Sequence, residues 1–352
     1  MKGGIALLAV VPSLAFACIN DRDTLKFEQQ NVNALERITA ETNPEKRSKA
    51  VSDLALRAIA GRFERFPDKY YEMRISRLEA KGSLSAAEFD DLAVAYDRIG
   101  KVDKAIQLIL KSKSLRKNPD DQYRFHANYG TFLVHKWFAQ GAKSDQKPIL
   151  KESIAEIQQA LEINPKSHFG RESIQLALEK AWLNPDKEYD LFAKLDPQDV
   201  AVGASGIIMM GLGYELPDVY SVLANAGWEP NSLPENAAKF RAQELIKADK
   251  PALFSVNNGW EEVRGEYLNL QADGKNVHES RLEYINQRLD RGEHPDTHPA
   301  FWEGWGEPEF PTTTRVDIDY VRAPSIEVAT IGLAGVLGMG AFGTYVWMRR
   351  RG

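Results

Sequence analysis

Six histidines and a single cysteine are this chain's supply of metal ligands and strong nucleophiles, and their spacing limits what they can do. His294 and His298 stand four apart, the separation of a helical zinc pair, but Pro295 and Pro299 exclude the helix that would align them. His126 and His135 fall on opposite faces of any helix that carries both, so they cannot share a ligand. No G-x-S-x-G, H-E-x-x-H or Walker pattern occurs, and the acidic residues are too scattered to nominate a carboxylate pair. Gly203, Gly206, Gly211 and Gly213 could suggest a phosphate loop, yet no Gly-Lys-Ser/Thr follows them and no strand precedes. The uncharged run around them is too short to cross a bilayer and predicts a buried helix. The expectation is a protein that is not an enzyme and holds no cofactor or metal.

Binding therefore becomes the question, and charge excludes one class of partner. With 45 Lys and Arg against 50 Asp and Glu, a formal charge of -5 and a pI near 5.8, the 352-residue chain has no basic field for nucleic acid. None of its asparagines opens an N-x-Ser/Thr acceptor, which favours a bacterial envelope over a eukaryotic secretory pathway.

The two ends place the chain. Lys2, an apolar stretch over 5–16 and Ala15-Phe16-Ala17 read as a signal peptide with an A-x-A cleavage pattern. An uncharged apolar run over 328–348 is long enough to cross a hydrocarbon core of roughly 30 Å. Arg349, Arg350 and Arg351 follow it, so the terminus is expected on the cytoplasmic side and the bulk of the chain outside. The lone Cys18 falls just after Ala17 and partly resembles the lipidated cysteine of a bacterial lipoprotein; the other reading is a chance cysteine past an ordinary cleavage site. With one cysteine, no disulfide forms within the chain. In the apolar run Gly332, Gly335, Gly338 and Ala341 form a small-residue face, compatible with pairing to another transmembrane helix or with a bare anchor.

Between the ends the pattern is helical. Asn43-Pro44 predicts a helix start, with Val51, Leu54, Ala55, Ala58, Ile59, Phe63 and Phe66 as one apolar stripe ending at Pro67. Ser85-x-x-Glu88 is a capping box ahead of Phe89, Leu92, Ala93 and Tyr96; Gly100 punctuates, and Ala105, Ile106, Ile109 and Leu110 follow before Asn118-Pro119. Two helices joined at a glycine make a hairpin.

That hairpin resembles the tetratricopeptide repeat (TPR). Phe89, Leu92, Ala93 and Tyr96 match its first helix; Ala105 and Ile109 match the second, with Ser112 in place of an alanine and Pro119 two residues late. Ser153, Ile157, Ala160 and Pro165 match a further second helix, while its first, with Tyr129, Gly130 and Leu133, lies too far upstream, across an insert over 136–147 that contains Trp137 and a charged loop. A weaker unit runs from His168 through Ile174, Leu178 and Trp182, so the resemblance covers roughly 85–185. It implies an all-α solenoid of helical hairpins whose groove, lined by first helices, binds a partner. The residues facing that groove would be Asp90, Val94, Asp97 and Arg98, then Arg124, Ala127, Thr131, Val134 and His135. This mixture lacks the Lys and Asn set that clamps a terminal carboxylate in chaperone-binding relatives, and suits a peptide or helix of mixed apolar and basic character.

Further helices are expected at 217–227, 234–249 and 277–291, the last with Leu282, Ile285 and Leu289 as its stripe. The aromatic stretch 298–311, with Phe301, Trp302, Trp305 and Phe310, has three readings: a cap on the last helices, a membrane-interface belt, or a sugar-stacking surface. The resulting order is signal peptide 1–17, N-terminal segment 18–45, TPR-like solenoid 46–255 with its best repeats at 85–119 and 122–166, charged helix and Trp-rich segment 256–311, stalk 312–326, transmembrane helix 327–348 and cytoplasmic stub 349–352. The expected role is a membrane-anchored, periplasmic scaffold for another protein. The alternative is an envelope enzyme or enzyme subunit acting on cell-wall glycans through the Trp-rich segment.

Overall fold

A computed structural model describes residues 19–24, 41–165, 167–185, 195–210 and 213–309. The signal peptide, Cys18, the stalk, the apolar run 328–348 and its face of Gly332, Gly335, Gly338 and Ala341 lie outside the described residues. Among the described residues no helix is long and apolar enough to cross a membrane.

The described chain is all-helical, without strands. Eleven α-helices are bounded within it: α1 (Pro44–Ala60), α2 (Asp68–Glu79), α3 (Ala86–Arg98), α4 (Val102–Lys111), α5 (Pro119–Ala139), α6 (Lys147–Ile163), α7 (Arg171–Leu183), α8 (Pro197–Met210), α9 (Pro217–Ala224), α10 (Leu233–Lys247) and α11 (Arg264–Asp290). Their starts follow local chemistry. The Asn43 side chain accepts from the Lys46 N–H ahead of Pro44, Asn118 does the same for Asp121, and Ser85 with Glu88 forms the expected reciprocal capping box.

Three boundaries depart from the sequence expectation, each for a physical reason. Helix α1 stops six residues short of Phe66, because Gly61 at φ +78° takes the left-handed C-cap conformation and its N–H closes on Ala58. Phe63 is buried all the same, packed edge-on against Tyr214 at 5.5 Å. Helix α5 continues to Ala139, so Trp137 is not in a loop; its ring lies 6.2 Å from that of Trp182 and anchors the hairpin to α7. Helix α11 begins at Arg264, well before 277, and buries one line of residues at Tyr267, Leu270, Gly274, Val277, Arg281, Ile285 and Leu289. Leu282, expected in the stripe, is only partly buried, and Arg281 takes its place. The glycine-rich run forms the buried helix α8 as far as Met210, where Gly203 and Gly206 admit Ile174 and Arg171 of the crossing α7.

Consecutive helices pack on one another from α2 through α11. Small residues set the approach: a Cβ at Gly130 of α5 would lie 2.8 Å from Ile157 of α6. Helix α1 departs from this neighbour order, because it packs on α8, α10 and α11 and so closes the row on itself. One apolar core lies among α1, α6–α10 and the first half of α11; a second joins α2–α5 with Ile285, Leu289, Phe301 and Ile19. Helices α5 and α11 each contribute to both.

Candidate peptide groove

The residues at 19–24, far from α3 and α5 in sequence, are seated against them. Asn20 is fully buried, and its backbone is held at both ends by one side chain: its N–H donates to Asn128 Oδ1 at 2.6 Å, and Asn128 Nδ2 donates to its carbonyl at 3.0 Å. Two residues on, the Arg22 N–H donates to Asp91 Oδ1 at 2.9 Å, and Arg22 Nε donates to Asp91 Oδ2 at 2.7 Å. Asp21 turns the segment by accepting from the Thr24 N–H at 2.9 Å, as a helix N-cap does. Ile19 supplies the apolar anchor, buried with Tyr70, Tyr71 and Phe132.

Around this segment lies a dense charge cluster. Arg74, fully buried on α2, reaches Asp21 at 3.4 Å, Asp23 at 2.8 Å and Asp296 at 2.8 Å, while Tyr70 OH donates to Asp23 at 2.7 Å. Asp296 also pairs with Arg77 and Arg22, tying the turn after α11 to the same point. Burial first, and then Asp23, push the Asp21 carboxyl up to about 7, against the pull of Arg74. Asp296 goes the other way: burial opposes its ionisation, but the hydrogen bonds and charge of Arg74 outweigh it and hold the carboxyl well below the usual range.

The residues that the repeat pattern assigns to the groove lie on this face, but mostly not in contact with solvent. Asp90 is buried in a two-bond pair with Arg116 at 2.8 and 2.7 Å and is touched by Asn128 at 3.2 Å; burial pushes it up to about 6 despite Arg116. Val94 and Ala127 are buried, as is Val134. Asp97 and His135 bond to each other at 2.8 Å, and Thr131 lies 3.4 Å from Gln175. Arg98 donates to the Met210 carbonyl at 2.7 Å, and Arg124 is partly exposed beside Asp90 and Asp121. Residues 19–24 are seated beside these residues, on the Asn128 side of this face. The polar contacts to that segment come from Asn128, Asp91, Arg74, Tyr70 and Asp296, none of which the repeat pattern assigns to the groove, although Asn128 stands on the same stripe of α5 as Arg124 and Thr131.

Behind Thr131 is a second buried polar cluster. Gln175 Nε2 donates to Glu179 Oε1 at 2.7 Å, and Ser153 Oγ lies 2.8 Å from Glu179 Oε2 and 2.7 Å from the Gly130 carbonyl. One hydroxyl proton cannot serve both oxygens. A protonated Glu179 resolves this by donating to Ser153, which donates to Gly130, and burial does push Glu179 up to about 8.

Three of the histidines, His126, His135 and His294, have structural partners. His126 bonds Glu156 on α6, on the other side of α5 from His135. Both ring nitrogens of His294 are engaged, one with the Tyr70 carbonyl and one with the Asp296 N–H, so it cannot join His298 on a metal. The aromatic stretch folds back on α11: Phe301 is fully buried, and Trp302 stacks on Tyr284 at 6.1 Å. No protein-family model, curated protein or solved structure matches the chain.

Proposed function

We propose that this is a membrane-anchored, extracytoplasmic scaffold of a bacterial envelope, whose TPR-like helical domain docks a segment of another protein. The topology rests on the two ends of the sequence, which agree only if the chain is exported and then stopped by its terminal apolar run. The repeat reading is supported by the small residues where paired helices meet, with Ala93, Ala105, Gly130 and Ala160 buried and Gly130 set against Ile157. The observation that carries the docking function is the Asn128 amide on the backbone of Asn20. A side chain that satisfies both the N–H and the carbonyl of one residue grips the chain through its backbone. Pairing of the small-residue face of the anchor with another transmembrane helix belongs to the same proposal.

The glycan alternative would need free aromatic faces at Trp302 and Trp305, and both rings lie against Tyr284. The test is crosslinking and affinity recovery of the full chain from its own membranes. A discrete partner protein is expected. Recovery of no crosslinked protein, or turnover of a glycan by the purified chain, would overturn the scaffold. Intact-mass measurement of the isolated protein decides between the two readings of Cys18.

A further inference from the structure

Resting on that docking role, we infer that residues 19–24 are an exchangeable occupant of this seat, holding the place of a partner segment with the pattern apolar–small–Asp–Arg–Asp. Three features distinguish this seat from ordinary core packing. The grip on Asn20 goes to its backbone, and the full burial of that residue admits only a small side chain at the second position. The three positions after it meet opposite charges, Asp21 and Asp23 at Arg74 and Arg22 at Asp91. The only large apolar group on the described segment is Ile19, whereas α2, α3 and α5 each bury several such side chains.

Those proportions set how the segment can leave. Buried ion pairs contribute little net stability once desolvation is counted, so the segment is held mainly by one isoleucine and a few hydrogen bonds. The groove cannot simply stand empty, however. Asp91 is almost fully buried and pairs with Arg22, and loss of that arginine would leave a buried carboxylate without its compensating charge. A site that is costly to empty and cheap to swap favours exchange of one segment for another of the same chemistry. The resident copy competes from the same chain at an effective concentration on the order of millimolar, so a free peptide enters only when the resident is weakened or the partner binds better.

The experiment uses the full-length protein in detergent and a fluorescent hexapeptide, Ile-Asn-Asp-Arg-Asp-Thr, followed by anisotropy. Arg22→Asp sets two carboxylates against each other at Asp91 and weakens the resident segment. The peptide is expected to bind this variant at least about tenfold more tightly than the wild type. Adding Asn128→Ala to the variant, or replacing the peptide's arginine by aspartate, should lose at least about tenfold again. Equal binding to wild type and Arg22→Asp, or none to either, overturns exchange. So does a concentration-dependent dimer of the wild type that excludes the peptide, because the occupant is then a second copy.

Hydrogen exchange on the wild type keeps the inference open to refutation should Arg22→Asp misfold. The Asn20 and Arg22 amides are expected to exchange at least about 100-fold faster than those of Ala127 and Tyr129 on α5. Equal protection would mean that the segment leaves only with global unfolding. A partner recovered from membranes together with a failed peptide exchange would sink this inference and leave the scaffold standing; no recovered partner would remove the scaffold itself.

Discussion

At Glu179 the geometry and the electrostatics give the same protonation state. A carboxylate there would receive the Gln175 amide and compete with the Gly130 carbonyl for one hydroxyl proton, with no cation among its named partners. Because its carboxyl is raised from 4.5 to about 8 in the folded chain, the stability it contributes is complete below about pH 4.5 and is lost as pH rises through 8. Glu179→Gln should therefore match the wild type near pH 5 and exceed it by a few kcal/mol at pH 9, read as thermal midpoints across that range. A wild-type curve that stays level to pH 9 would show that Glu179 never resists ionisation. Asp21 obeys the same sign on a smaller element: raised from 3.8 to about 7 by burial and by Asp23 and Asp91, against Arg74, it contributes fully to the seating of its segment below about pH 3.8 and loses that contribution as pH rises through 7. Asp296, Arg22 and Tyr70 face the same cluster. Asp21→Asn keeps an N-cap acceptor and removes the charge. Protection of the Asn20 amide should be alike in the two proteins below about pH 3.8 and several-fold greater in the variant at pH 8. Little of this was legible in the sequence, because neither Glu179 nor Asp21 stands in a motif; their behaviour comes from what tertiary packing places beside them.

The helices themselves were largely legible, and the exceptions share a cause. Where a start is written in local chemistry, as at Asn43-Pro44, Ser85 with Glu88 or Asn118-Pro119, sequence and structure agree. The missed lengths lie where local preference is weak. The first half of α11, with Gly265, Gly274 and Asn276, is a poor helix former by propensity and is helical because it is packed against α1. Gly274 is the contact that permits this: a Cβ there would stand 1.7 Å from the Ala60 carbonyl oxygen, whereas nothing lies within 4 Å of one at Gly265. The two glycines should part company on substitution. Gly274→Ala is expected to cost about 3 kcal/mol or more, as overpacking against rigid backbone does. Gly265→Ala should be neutral or stabilising by about 0.5 kcal/mol. Urea unfolding of the two variants beside the wild type makes the comparison, and a Gly274→Ala protein as stable as Gly265→Ala would mean that α11 does not need its close seat on α1.

On the scale of the whole molecule, the sequence resemblance implied a row of hairpins, each touching only its neighbours, and such a row unfolds piecemeal. Helix α1 changes that expectation because it is packed on α8, α10 and α11, far along the chain. Helix α11 then runs on to the opposite core, where Ile285 and Leu289 join Ile19 and α2–α5, and Asp296 meets Arg74 beside the N-terminal segment. The two cores are thus bridged by α5 and α11, and disturbing one bridge should be felt at both ends. Amides in α4, within one core, and in α10, within the other, are expected to exchange through an opening of the same free energy in the wild type. In Gly274→Ala the bridge through α11 is loosened where it crosses α1, and the two helices should separate, with α10 and α1 opening first while α3–α5 keep their protection. If α4 and α10 already differ in the wild type by the several kcal/mol expected of independent repeats, the closure by α1 is a contact without cooperative effect. The chain would then behave as the open solenoid its repeats suggest.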